Sequence, residues 1–585
     1  MSKSSIIIFL GLAVGPAVSA VRAQTTDDRP YQERVVVVAP YQPVLDVARK
    51  PLLQPGMPAD TNHRVDSAVY EIISRPVQTT YPVENIKPAK VAGEPVERLF
   101  NQHLKIGFGT HLSPLAEAYL AMGRSQQYGF AASYKHHSAY GRIKDYSRFK
   151  TDHSYNEGDL SGEIFAKKFK VRLDLNYRQT KVNAYGLRDG LYDSISGLLA
   201  VDEDFNKIYR DQAVRWFQNM DGRLTFSDRA VQPDDWRYGA QLYYDFGRNN
   251  WHGMENIVEA SGGFSKRIAQ QSDNVDRLDI GARVFFGDYM HRPHQDDPVD
   301  NAFLLRVEPT VSYRYDIFDL DAGLCFHVFG DSRDGNKFQF NPRVRLNVQA
   351  VPDILDIYVG VDGRVKRNTI LSASEINPFL HPFDADDLAF SREKLYVYLG
   401  IKSNLTKEID FALTASAHWL GNHLSFDYFY YTYQNGVAAI NSVGYNDFKP
   451  LYTEKVFQFQ VKGELNLHWD DRIMAHVEAE YNYYNKHLLY TPAFRAGVMF
   501  RYDIGHKFIV KSEIAGYTNM KAHNHFGEEV TLKGGFDWSA GLEYRFFKRW
   551  SAFVDLNNLI AYRYYKWNDY PTYRFNLMAG ITFSF

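Results

Sequence analysis

The chain has 585 residues, with 67 Lys and Arg against 69 Asp and Glu and a pI near 6.8. That even balance supplies no electrostatic attraction for nucleic acid and excludes it as a partner class. Aromatic side chains make up 15% of the residues, with 41 Tyr and 40 Phe, yet the mean hydropathy is −0.39. A water-soluble fold would need an unusually large core for so many rings, whereas a membrane barrel shows them to lipid and keeps polar groups inside.

The N-terminus predicts export. Lys3 precedes an apolar run from Ile6 to Val14, and small residues offer cleavage after Ala20 or Ala23. Residues 1–23 therefore predict a secretory signal peptide, too short to remain as a membrane helix. No later stretch holds 18 consecutive apolar residues, so a membrane-integral mature chain has to cross with strands. Cys325 is the sole cysteine, which allows no intramolecular disulfide, and it lies too far from the N-terminus to carry a lipid anchor.

Residues 24–100 follow, and between 25 and 100 they carry ten of the 23 prolines and no tryptophan. Such spacing predicts an extended periplasmic arm with little packing of its own. Within it Glu33-Arg34-Val35-Val36-Val37-Val38-Ala39 is a short β-prone run beside prolines, suited to adding a strand to a partner's sheet.

From 101 to 585 the chain becomes a series of segments with period-two alternation, which predicts an all-β fold: a transmembrane antiparallel β-barrel of about 22 strands. Near the C-terminus Phe536, Trp538, Ala540, Leu542, Tyr544 and Phe546 oppose Asp537, Ser539, Gly541, Glu543 and Arg545. The last segment sets Tyr573, Phe575, Leu577, Ala579, Ile581, Phe583 and Phe585 on one face. Charged residues recur on the second face of nearly every segment, leaving a polar interior and no core, which disfavours a soluble sandwich or propeller. Segments of about ten residues also match a tilted membrane strand better than a globular one. Tight links at 233–235, 351–353, 406–407, 470–471 and 547–549 alternate with long polar ones at 138–157, 184–210, 288–300, 367–390, 433–451 and 518–531. Short periplasmic turns and long extracellular loops are the pattern of the outer membrane, with outer-membrane lipid as the surroundings. A strand ending on Phe583-Ser584-Phe585 is the signal that barrel-assembly machinery reads.

Three stretches carry a family resemblance: Val554-Asp555-Leu556-Asn557-Asn558-Leu559, then Tyr564-Tyr565-Lys566-Trp567-Asn568-Asp569-Tyr570-Pro571, then Phe583-Ser584-Phe585. Together they resemble the C-terminus of TonB-dependent receptor barrels. The resemblance implies a barrel of this strand number, ligand uptake at the cell surface through loops such as 184–210 and 367–390, and a TonB-like energising partner. It also implies that Val35, Val36, Val37 and Val38 stand where such receptors keep the partner-docking strand, although Arg34 replaces the usual Thr. The chain departs from the family in lacking a conventional plug domain, since the proline-rich arm is too short for one. A lumen that wide has to be occluded by folded-in loops, by the arm or by another protein. The alternative reading is a plugless structural or assembly subunit of a larger outer-membrane complex; a passive porin is a weaker third.

Enzyme motifs are missing: no Gly-x-Ser-x-Gly, His-Glu-x-x-His or phosphate-cradling glycine loop occurs, and the expectation is a non-enzyme without cofactor or metal. A Ser–His pair assembled across strands would leave no linear motif. His291, His294, Asp296 and Asp297 cluster in one loop, and His523 with His525 in another, but polar loop composition explains both. The inward charges Lys462, Glu464, Glu478, Glu480, Arg495, Arg501, Glu543 and Arg545 are expected to pair along a water-filled wall rather than to select ions.

Overall fold

Alternation of this kind closes on itself only if the first and last segments meet, and they do. The computed structural model describes residues 100–585 apart from 123–124, 148, 191–212, 230–234, 273–274, 294–297, 333–334, 382–387, 429–432, 435–436, 439–446, 471 and 525–526. The signal peptide, the arm and the Val35–Val38 run lie outside the described residues.

One antiparallel sheet of 22 strands forms the barrel. Its first strand, Gln102–Gly109, pairs with Ser113–Ala121 on one side and with the last strand, Asn576–Ser584, on the other, with Ile106 opposite Ile581. None of these 22 strands is left with an unpaired edge, the condition for placing backbone in hydrocarbon. Strands such as Val275–Arg292 and Gly335–Val351 run well past the length a bilayer needs. For that reason the 288–300 loop shrinks: its first residues, His291 included, continue the strand.

Outward positions follow the predicted faces. Leu224, Leu242, Ile280, Leu399, Leu413 and Leu465 are exposed along the middle of the wall. Aromatic residues gather at its two margins, with Trp236, Phe318, Trp469, Phe546 and Phe585 toward the short turns and Phe338, Trp419 and Tyr483 toward the long loops. Aliphatic waist and aromatic girdles are the layout of a membrane barrel. Inward charges pair as expected: Lys462 with Glu464 at 2.5 Å, Arg495 with Glu480 at 3.7 Å, Lys511 with Glu543 at 3.7 Å and Arg545 with Asp503 at 3.2 Å. Glu478 shares the face of Glu480, and Arg501 that of Arg495.

Connections alternate as predicted, with turns at 316–317, 352–354, 405–408, 470–472 and 505–507 on one rim. Long connections at 184–213, 368–389, 422–455, 518–535 and 558–575 stand on the other. Tyr573 and Phe575 belong to the last of these rather than to the final strand, because the Tyr573 hydroxyl turns aside to donate to the Thr151 carbonyl at 2.8 Å.

Candidate functional site

The long connections do not stand apart as polar loops; they share a core. Phe426, Tyr428, Phe448, Trp567 and Tyr570 come from two of them and pack with Ile370, Ala373, Leu380 and Leu388 from a third, against Phe217 of the wall. Phe448 sits at the centre, its ring 5.5 Å from Tyr428, 5.5 Å from Tyr490, 5.3 Å from Trp567 and 6.0 Å from Tyr570. Phe379 stacks on Tyr570 at 3.7 Å, and the Tyr185 hydroxyl donates to the Pro571 carbonyl at 2.9 Å. Cavities along this core are about 10 Å³ each, the space of one water. The loop rim therefore carries a packed cap.

Local sequence explains how each loop is held. Thr369 caps the short helix Ile370–Ile376 in a capping box with Ser372. Glu255, at the rim of its wall strand, accepts the next free donors, the N–H groups of Ile370 at 3.1 Å and Leu371 at 3.3 Å. From the helix, Glu375 reaches Arg178 at 2.6 Å, and Arg178 lies five residues below the loop end of Phe169–Asn183. The helix thus sits within the mouth, about 16 Å of strand deep at that contact. On another side Asp569 accepts from the Tyr146 hydroxyl at 2.9 Å and from Arg188 Nε at 2.7 Å.

A buried ion cluster closes the centre. Arg215 Nη2 reaches both oxygens of Asp447 at 2.9 and 2.8 Å, and His381 Nδ1 lies 3.0 Å from the same carboxylate. Burial alone would raise the Asp447 carboxyl, but Arg215 and then His381 outweigh it and hold it below its ordinary value. The Arg215 guanidinium also lies over the Trp251 ring, 5.1 Å from its centroid.

Of the residues singled out in the sequence, Phe583 and Phe585 stack at 4.9 Å, with Trp550 4.4 Å from Phe583. The Phe585 backbone exchanges hydrogen bonds with Gln102 at 3.0 and 3.2 Å, so the terminal residue lies on the closing seam. His291 is buried in the wall, and His294, Asp296 and Asp297 lie outside the described residues. His523 faces Asp427 at 2.8 Å, a cap contact, and His525 is likewise outside. Among the described residues no group of three or more His, Cys, Asp or Glu is arranged to hold a metal ion. Folded-in loops were one of the three ways of occluding the lumen that the sequence left open, but the residues of the cap were not named, although the loops carried a sign of them: Phe426, Tyr428, Tyr490, Trp567 and Tyr570 are more aromatic than solvated loops need.

No family model matches the chain, and no curated protein sequence is similar to it. Solved structures do match. The FrpB iron transporter of Neisseria meningitidis aligns with 84% of this chain and 82% of its own at 10% identity, with a TM-score of 0.60. The ferric enterobactin receptor of Pseudomonas aeruginosa gives 84%, 82%, 10% and 0.58 in the same order. The siderophore receptor PirA of Acinetobacter baumannii gives 84%, 81%, 12% and 0.58. The likeness is one of fold. It covers more than four-fifths of this chain and of each of the three neighbours.

Proposed function

We propose that this chain is an outer-membrane barrel of the TonB-dependent-receptor type that takes up a ligand at the cell surface. The observation that carries this reading is the closed barrel of 22 strands with a polar lumen, a fold shared with three solved iron and siderophore transport proteins. In this reading the turn rim faces the periplasm, the cap faces outward, and residues 1–23 are removed on export. The arm 24–100 reaches a TonB-like protein through Val35 to Val38, and the cap serves as the gate that a ligand must open.

One observation favours the alternative, a plugless subunit of a larger outer-membrane complex. The cavities along the loop core are water-sized, and a built-in cap suits a barrel used as scaffold. Deleting Val35–Val38 separates the two. A receptor loses uptake of a nutrient while the barrel still assembles in normal amount. A subunit keeps its stoichiometric partners in pull-downs with or without those residues, and no uptake phenotype appears.

A further inference from the structure

A single bulge in one strand of the wall disturbs the ladders on both of its sides. Phe390–Asn404 carries one extra residue at Lys394, which slips its register against Leu355–Arg367 between Asp362 and Arg364 and against Ile409–Gly421 between Glu393 and Leu395. Asn341, fully buried, holds the bulge against its neighbour: its side chain packs on Gly363, and its Nδ2 donates to the Lys394 carbonyl at 2.6 Å. Gln339 Nε2 adds a bond to the Glu393 carbonyl at 3.2 Å. A bulge re-aims the side chain beside it. Without the extra residue Lys394 would point into the lumen; with it Glu393 does, opposite Leu420 and next to His418.

The result is a chain of three groups. Glu393 Oε1 lies 2.6 Å from His418 Nδ1, and His418 Nε2 lies 2.9 Å from Ser416 Oγ. Arg364 holds the other oxygen of Glu393 at 3.0 Å, and the Tyr396 ring stacks on the imidazole at 4.6 Å. A carboxylate can only accept, so Nδ1 carries a proton, and with that tautomer the Nε2 lone pair of a neutral imidazole points to the serine hydroxyl. Ser416 is buried (4% exposed) and stands five residues below the loop end of Ile409–Gly421, beneath the cap.

We propose that Ser416, His418 and Glu393 form a nucleophilic site that cleaves carboxylic esters reaching the lumen, an activity beyond either reading above. Ser416 Oγ bonds to the ester carbonyl carbon while its proton passes to His418 Nε2. The C–O bond to the alcohol breaks, and the leaving oxygen takes that proton from Nε2. Water then attacks the acyl-serine, gives a proton to Nε2 and leaves as the acid, and Oγ recovers its proton. Glu393 keeps the ring in the required tautomer throughout. The backbone N–H groups here are committed to the sheet ladder, and Gln460, which stands opposite Ser416, already donates its Nε2 to Glu480 and to Asn482 at 3.1 Å, so neither supplies an oxyanion donor. A missing backbone donor costs on the order of 10²–10³ in rate, so the site is slow and a covalent label is its best readout.

The barrel carries its own control. On the outward face Ser138, His136 and Asn156 form a similar chain, with Nε2 3.1 Å from Ser138 and Nδ1 2.7 Å from Asn156, but it ends in a neutral amide and its serine is fully buried. Purified full-length protein, with folding checked by heat-modifiable gel migration, is treated with diisopropyl fluorophosphate and mapped by mass spectrometry. The expected result is one adduct on Ser416, absent in S416A, slowed at least tenfold in E393Q and unchanged in S138A. Hydrolysis of p-nitrophenyl acetate should fall in parallel. No adduct on Ser416 in the folded protein, an adduct on Ser138 instead, or an unchanged rate in E393Q would overturn the proposal.

Discussion

Arg215 and Asp447 form an ion pair that water does not reach: their side chains are 1% and 0% exposed, and they join the wall strand Val214–Asp228 to the loop 422–455. Desolvating two charges is costly, and the pair holds only while both partners are present. Asp447→Asn keeps the shape but leaves Arg215 buried without its counter-charge. The expected cost is about 3–5 kcal/mol of cap stability. Hydrogen exchange should show faster exchange in the loops while the barrel strands keep their protection.

Acid should act at the same point. The folded Asp447 carboxyl titrates below its ordinary value, so its stabilisation is fully present above the unfolded pKa of about 4 and is lost as pH falls through the lower folded value. Loop exchange, corrected for intrinsic rates, should match between pH 7 and pH 5 and accelerate below about pH 4. The Asp447→Asn protein should show no such acid step.

Phe448 touches four rings of the cap core. Phe448→Ala removes the centre of that cluster at a cost of about 3–5 kcal/mol. In planar bilayers the intact protein is expected to be silent, whereas Phe448→Ala should flicker between closed and conducting levels. Steady large conductance in the intact protein would show that the cap does not seal the lumen.

The closing seam makes a separate prediction. Phe585 supplies the last pair of backbone bonds to Gln102, so deleting it shortens the seam and removes the terminal aromatic. The fraction of heat-modifiable, folded barrel should fall several-fold on expression in cells. Phe585→Tyr, which keeps ring and backbone, should restore it.

Gly363 has no room for a side chain, since a Cβ would meet both the Asn341 amide and the Glu393 carbonyl. Gly363→Ala should therefore push the bulge at Lys394 away from its neighbouring strand and lower the melting temperature more than Asn341→Ala. The latter deletes one hydrogen-bonding side chain at about 1–3 kcal/mol.

Much of this architecture was legible in the chain itself. Period-two alternation is a local property, and in a barrel one face meets hydrocarbon and the other water, so each strand announces its inward and outward residues without reference to its neighbours. The number of strands, the alternating turns and the C-terminal aromatic followed from that pattern, and so did the pairing of Lys462 with Glu464 and of Glu480 with Arg495. Loops folded over the lumen were among the expectations, but the contacts that build the cap were not legible. Tyr146 and Asp569 are 423 residues apart in sequence and meet at 2.9 Å, and the loops that hold them look solvated when read one at a time. Nor did alternation place Glu393 beside His418, because a single extra residue at Lys394 reverses which side chain enters the lumen. The sequence by itself determined the barrel, whose solvents act on every strand separately. The tertiary structure alone decided what fills the mouth and which polar groups meet in the lumen, because those contacts exist only once ring closure brings distant segments to the same rim.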